Sequence, residues 1–182
     1  VKVIILDTRY FRDQLKESDD PNKRYEPSTG TVLGKEQWRW LEEELKNSNA
    51  SFNVILSSIQ ILSWEHGFET WGNFPSEVEK LKELIVSSEA NNVILLSGDR
   101  HISEFSKTEV KGLNYPLVDF TSSGLTHTYE EFDGEPNKYR VGEVIKIKSF
   151  GLLRFNFDKN EVLLEMRGEQ NKLQQDYLLE FQ

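Results

Sequence analysis

The sequence contains no cysteine, so disulfides, thiolate metal sites and cysteine nucleophiles are all excluded. No apolar run approaches the ~20 residues that a helical membrane span needs, and no such span is expected. Positive charge is scarce: 22 Lys and Arg stand against 31 Asp and Glu, a formal net charge of -9 at pH 7. Such a chain repels nucleic-acid phosphates unless cations intervene, so no nucleic-acid partner is expected. The GxSxG, P-loop, GxGxxG and HExxH patterns are missing, which removes the usual serine-hydrolase, nucleoside-triphosphate, dinucleotide and zincin readings. The first residues are Val1-Lys2-Val3-Ile4-Ile5-Leu6 rather than an initiator Met. An apolar, β-branched segment at the first position reads as a strand cut from a longer sheet, so the expectation is a fragment or a processed chain.

With 182 residues, 37% hydrophobic and 29% charged, the chain has the composition of one folded domain over 1–182 rather than of a disordered or collagenous polymer. The run 3–6 predicts a strand buried on both faces. Polar residues without periodicity over 14–31 predict a long exposed loop. Trp38, Leu41 and Leu45 recur at helical spacing within 35–47, giving one apolar stripe on a solvated helix. A second buried strand at 54–56 leads through an irregular aromatic segment to Pro75, which suits the first turn of a helix carrying Val78, Leu81, Leu84 and Ile85. A third strand, 93–96, follows. Strand and helix alternating in this way imply right-handed crossovers and a parallel sheet covered by helices. The remaining third predicts short strands at 117–120, 143–147, 152–157, 162–166 and 177–181, read as an antiparallel meander sharing one layered core with the rest. The fold class is therefore α/β: a partly parallel sheet with covering helices, followed by an antiparallel meander.

Ligands in open α/β sheets bind outside the carboxyl ends of the strands, where 7–12, 57–60 and 98–101 would converge. Gly98-Asp99-Arg100-His101 is the most informative tetrapeptide. A carboxylate and an imidazole two residues apart, on a tight turn that Gly98 permits, can reach one cation with little chain entropy to lose. The same residues also suit a helix cap and an ordinary histidine hydrogen bond, and two ligands do not complete a metal site. Arg9, at the end of the first strand, can grip phosphate bidentately or pair with a nearby Asp. Gln60 can donate to a substrate oxygen or serve as a satisfied loop residue. The segment 121–127 can bring hydroxyls and His127 to the same edge, although a turn stabilised by its own hydroxyls is the preferred reading. His66 has no acidic partner at ligand spacing and is read as structural.

In order along the chain, LDTRYFRD, LGKEQWRWLEEELK, VILSSIQIL, WGNFPSEVEKLKELI, VILLSGDRHISEFSK and FTSSGLTHT resemble segments of the PhoD-like alkaline phosphatases and phosphodiesterases, a branch of the calcineurin-like metallophosphoesterases. The resemblance covers that family's C-terminal half. It implies the corresponding part of an αββα sandwich and hydrolysis of phosphate esters by a metal-activated water, with calcium and iron as the metals. The family's GDxH pattern falls on Asp99 and His101, which inherit metal-ligand roles; Arg9 and Gln60 fall in matching segments as catalytic candidates. The GD motif and the WDDHD-type segment of the N-terminal half have no counterpart here. The resemblance therefore implies that the missing half of the same domain, or a self-association partner, joins the phosphate ester as a partner, and that the isolated chain has little activity. It also implies a periplasmic or secreted location. The competing expectation is a catalytically silent binding or interaction module that keeps the phosphoesterase scaffold.

Overall fold

The first half of the chain follows the alternating pattern, and in the computed structural model, which describes residues 1–181, it builds one parallel side of a large sheet. β1 (Lys2–Ile5) is followed by a long loop holding only a two-residue pair of strands, β2 (Lys16–Glu17) and β3 (Tyr25–Glu26). Then come α1 (Gly34–Lys46), β4 (Asn53–Leu56), α2 (Pro75–Ser88) and β5 (Val93–Ser97). Pro75 opens α2 as expected, and Glu89 closes it in the left-handed conformation at φ 56°. Asp13 and Thr31 close the base of the long loop through two backbone-mediated bonds of 3.0 Å. The buried carboxylate of Glu77 then accepts from Thr31, from the Val32 amide and from the Trp38 indole, which fixes the loop's return to both helices.

The second half departs from the expected meander. β6 (Ser103–Thr108), β7 (Leu117–Ser122) and β8 (Arg140–Ile145) join the large sheet, whose order is β1-β4-β5-β7-β6-β8. β7, expected as the first meander strand, lies parallel to β5, with Leu96 opposite Phe120. Its nearly continuous burial is that of a central parallel strand. β6 went unforeseen because Ser-Glu-Phe-Ser-Lys-Thr carries a single large apolar residue, yet it pairs antiparallel with both β7 and β8. Only β9 (Ser149–Asn156), β10 (Glu161–Gly168) and β11 (Leu173–Glu180) form a meander, and they make a separate antiparallel sheet.

The expected single layered core is replaced by two, one on each face of the large sheet. Ile4, Ile55 and Leu95 point toward Leu41, Leu45, Leu81 and Ile85 of the helices. On the other face Ile94, Phe105 and Phe120 meet Val162, Leu164 and Met166 of the small sheet. A strand presents successive side chains to opposite faces, so Ile94 and Leu95 necessarily serve different cores. Gly151 lets the sheets close: a Cβ there would sit 2.9 Å from the Phe120 ring. The result is three layers, helices, large sheet and small sheet. No α-helix among the described residues covers the outer face of the small sheet. β1 is an edge strand with one hydrogen-bonded neighbour, and Val3 and Ile5 are 57% and 65% exposed.

Candidate functional site

Three loops leave the carboxyl ends of β1, β4 and β5 side by side, because those strands are parallel and adjacent. After β1, the Asp7 carboxylate accepts from the backbone N–H groups of Tyr10 and Arg9, both at 2.9 Å, and these bonds hold its pKa below the ordinary value. Gln37 of α1 clamps the same turn by accepting from the Asp7 N–H and donating to the Asp7 carbonyl. Thr8 is buried and meets Ser58 hydroxyl to hydroxyl at 2.5 Å, joining the first loop to the second. Arg9 reaches the third loop: its Nη2 donates to Asp99 Oδ1 at 3.0 Å, while Nη1 pairs with Glu69. Glu69 also pairs with Arg12, so one carboxylate carries two guanidinium groups.

The turn after β5 is built differently from its sequence reading. Gly98 does not adopt a left-handed conformation; Asp99 and His101 do, at φ 74° and 55°. A Cβ at Gly98 would lie 3.4 Å from the Ser58 carbonyl oxygen, an ordinary contact, so the glycine is not what bends the chain. Left-handed backbone is unfavourable for residues other than glycine and persists where surroundings over-determine it. Those surroundings are identifiable. The His101 N–H donates to Ser123 Oγ at 3.1 Å, and the Tyr129 N–H donates to the His101 carbonyl at 2.9 Å. Arg100, between the two left-handed residues, points back into the fold, where it pairs with Glu135 and lies 4.4 Å from the centre of the Phe68 ring. No helix begins at Asp99, so the capping alternative is not realised; β6 follows directly.

His127 proves to belong to this edge. Its ring centre is 6.0 Å from that of His101, and Thr126 Oγ1 lies 3.0 Å from its Nδ1. The Thr121 and Ser123 hydroxyls of 121–127 bond outward, Thr121 to Gln60 and Ser97, and Ser123 to the His101 N–H, rather than closing the segment's own backbone turn. Gln60 faces the other way. It is 1% exposed, and its Nε2 donates to Glu104 Oε1 at 2.7 Å and to Thr121 Oγ1 at 2.9 Å, while Oε1 is buried without a hydrogen-bond partner. His66 is 6% exposed and takes the Phe68 N–H on Nδ1 at 3.1 Å. Burial, reinforced by the charge of Arg100, pushes its pKa down from 6.5 to about 3.

Beneath the edge lies a polar layer that the sequence did not single out. Asp119 is fully buried in β7 and accepts from the N–H groups of Ile61 and Leu62 at 2.9 and 3.0 Å and from Ser97 Oγ at 2.7 Å. Burial raises its pKa, and those donors oppose the shift. Glu104, 1% exposed, takes Gln60 on one oxygen and Arg140 Nε, at 2.8 Å, on the other. A charged residue inside a predicted buried strand was the available signal for Asp119; for Glu104 the strand itself was not visible.

As metal donors, the Asp99 carboxylate and the His101 imidazole have the right chemistry and a shared turn, with His127 nearby. They form a partial set: among the described residues no group of three or more His, Asp or Glu side chains is close enough to hold an ion.

The sequence profile of the PhoD-like phosphatases matches residues 1–171. The chain belongs to the PhoD-like phosphatase family. Alkaline phosphatase D of Bacillus subtilis (strain 168) is 32% identical over 140 residues, an alignment covering 66% of this chain and 24% of that protein. A solved structure described as "Structure of PhoD" superposes with a TM-score of 0.73 at 20% identity, over 98% of this chain and 40% of the other. The likeness to that PhoD structure shows the shared fold, and the chain spans well under half the length of either PhoD-like relative.

Proposed function

We propose that this chain supplies part of the active site of a metal-dependent phosphoesterase, with Asp99 and His101 as its metal ligands and the remaining ligands coming from polypeptide outside residues 1–182. The observation that carries the reading is the left-handed pair Asp99 and His101, held at the edge of the parallel sheet against Arg9 and beside His127. A bound cation supplies charge neutralisation for phosphoryl oxygens and an acidified water. Arg9, whose side chain is half exposed, binds phosphoryl oxygens through the guanidinium edge that now pairs with Asp99. Glu69 pairs with the other guanidinium nitrogen of Arg9 and would hold that side chain in place if Asp99 were engaged by a cation. Gln60 acts as a positioning residue: it ties the loop after β4 to Glu104 and Thr121 and so sets the floor under the turn. The exposed apolar edge of β1 receives either the remaining portion of the same fold or a second copy of this chain. Phosphate mono- or diesters are the substrates, and a periplasmic or secreted setting is part of the same reading.

Titration with Mn2+ while the backbone NMR spectrum is recorded tests the ligand assignment. Selective paramagnetic broadening around Asp99 and His101 is expected, and Asp99→Asn should weaken binding by about a hundredfold. Broadening spread over unrelated surface carboxylates would overturn it. Chelator-sensitive turnover of p-nitrophenyl esters by the longest natural form of the protein tests the reaction; a form that binds no metal at this edge and hydrolyses no ester is instead the silent binding module.

A further inference from the structure

A surface groove begins at Thr128, the residue after His127, and so adjoins the candidate site. It encloses about 650 Å3 and is lined by Lys146 and Lys148, by Lys172, and by Thr128, Glu130 and Glu169. Lys146 and Lys148 come from the turn between β8 and β9, and Lys172 from the turn between β10 and β11. None of the three ammonium groups makes an ion pair among the described residues; Lys146 donates to the Phe132 carbonyl at 3.3 Å. One of the two carboxylates, Glu130, is engaged by the Thr128 hydroxyl at 3.3 Å. Three lysines against two glutamates give the groove's lining a formal excess of positive charge in a chain whose formal net charge is -9.

The groove's walls are fixed to the candidate site. Thr128 follows His127 directly, and the next residue, Tyr129, donates its N–H to the His101 carbonyl. The lysine turn is tied to the same loop by the Ser149 N–H, which donates to the Gly124 carbonyl at 3.0 Å. The Lys172 turn is held by the Gly168 N–H on the Lys172 carbonyl at 2.8 Å, with Gln170 and Asn171 left-handed at φ 56° and 59°. Ammonium groups placed by braced turns around a concavity focus field on whatever anion enters it.

We propose that this groove is an anion subsite that binds a second phosphate group of the substrate, so that the protein acts on esters carrying more than one phosphate. The substrate class rests on the phosphoesterase reading above; the anion site itself does not.

Inorganic tripolyphosphate, added without metal and followed by backbone NMR, is the test. Shifts are expected at 128, 146–148 and 169–172. Replacing all three lysines by Gln should weaken binding about tenfold, the combined effect of three exposed charge contacts, whereas replacement by Arg should retain it. Shifts confined to Arg9 and its neighbours, or affinity unchanged in the Gln variant with its spectrum otherwise intact, would overturn the subsite. Mn2+ broadening at Asp99 without tripolyphosphate shifts removes the subsite alone; tripolyphosphate shifts without metal binding remove the phosphoesterase reading and leave the subsite. In a form of the protein that turns over esters, the Gln variant should narrow the KM difference between monophosphate and bisphosphate esters, and an unchanged ratio refutes the substrate class.

Discussion

At the scale of single residues, the chemistry of the edge depends on side chains whose backbone or surroundings are unusual. Asp99 and His101 occupy left-handed conformations while Arg100, between them, is buried in an ion pair with Glu135. Arg100 and Glu135 therefore anchor the turn that presents the other two. His66 gives a measurable consequence of that anchor. Its pKa in the folded chain is about 3, set by burial and then by Arg100, against 6.5 for an ordinary histidine. Protons therefore bind the unfolded chain more readily below pH 6.5, and His66 contributes stability that is complete above that value and lost as pH falls toward 3. Urea denaturation should show a loss of roughly 1–2 kcal/mol from this residue between pH 6.5 and 5, and His66→Asn should flatten that part of the profile. A profile identical in the variant would show that His66 does not carry the slope.

At the scale of elements, β1 presents an apolar strand edge, whereas β10, the central strand of the small sheet, carries a buried charge. Val3 and Ile5 face solvent on an edge strand, whereas Ile4 is buried against the helices. An apolar, unpaired edge is a template for association. Sedimentation velocity should show concentration-dependent self-association of this chain, and Val3→Lys with Ile5→Lys should abolish it while changing stability by no more than about 0.5 kcal/mol, since both sites are exposed. A wild-type monomer at all concentrations would contradict this. The small sheet handles a buried charge instead. Glu165 of β10 is held by Arg154 at 2.6 Å and by Arg167, which lowers its pKa.

At the scale of the molecule, two apolar cores on opposite faces of one sheet must be satisfied together. Phe105 is 1% exposed, packs 4.7 Å from the Phe120 ring, and lies on the face that receives the small sheet. Phe105→Ala removes most of that contact without reaching the helix side, and should cost about 3–5 kcal/mol in urea denaturation. A loss below 1 kcal/mol would mean that the small sheet contributes little to the stability of the whole. The charge distribution is likewise a property of the assembled chain. A sequence with excess acid folds so that Lys146 and Lys148 of one turn share a groove beside His127 with Lys172 of another.

The parallel half of the fold was legible because it is written in local periods: β-branched runs at 3–6, 54–56 and 93–96, and apolar stripes in α1 and α2. Asp99, His101 and Arg9 were legible as candidates because strand ends in such a sheet share one edge, and the family followed from the order of the motifs. What lay beyond sequence were the facts that depend on contacts distant along the chain. β6 carries no hydrophobic pattern and becomes a strand only because β7 and β8 flank it. β7 is parallel rather than part of the meander because its place beside β5 buries both faces. Gln60 turns inward because Glu104 and Thr121 offer it partners that no local reading reveals, and His127 reaches His101 only through the path taken by the 121–129 segment. Periodicity is imposed by the backbone and survives in one dimension; the partner of a polar side chain is chosen in three.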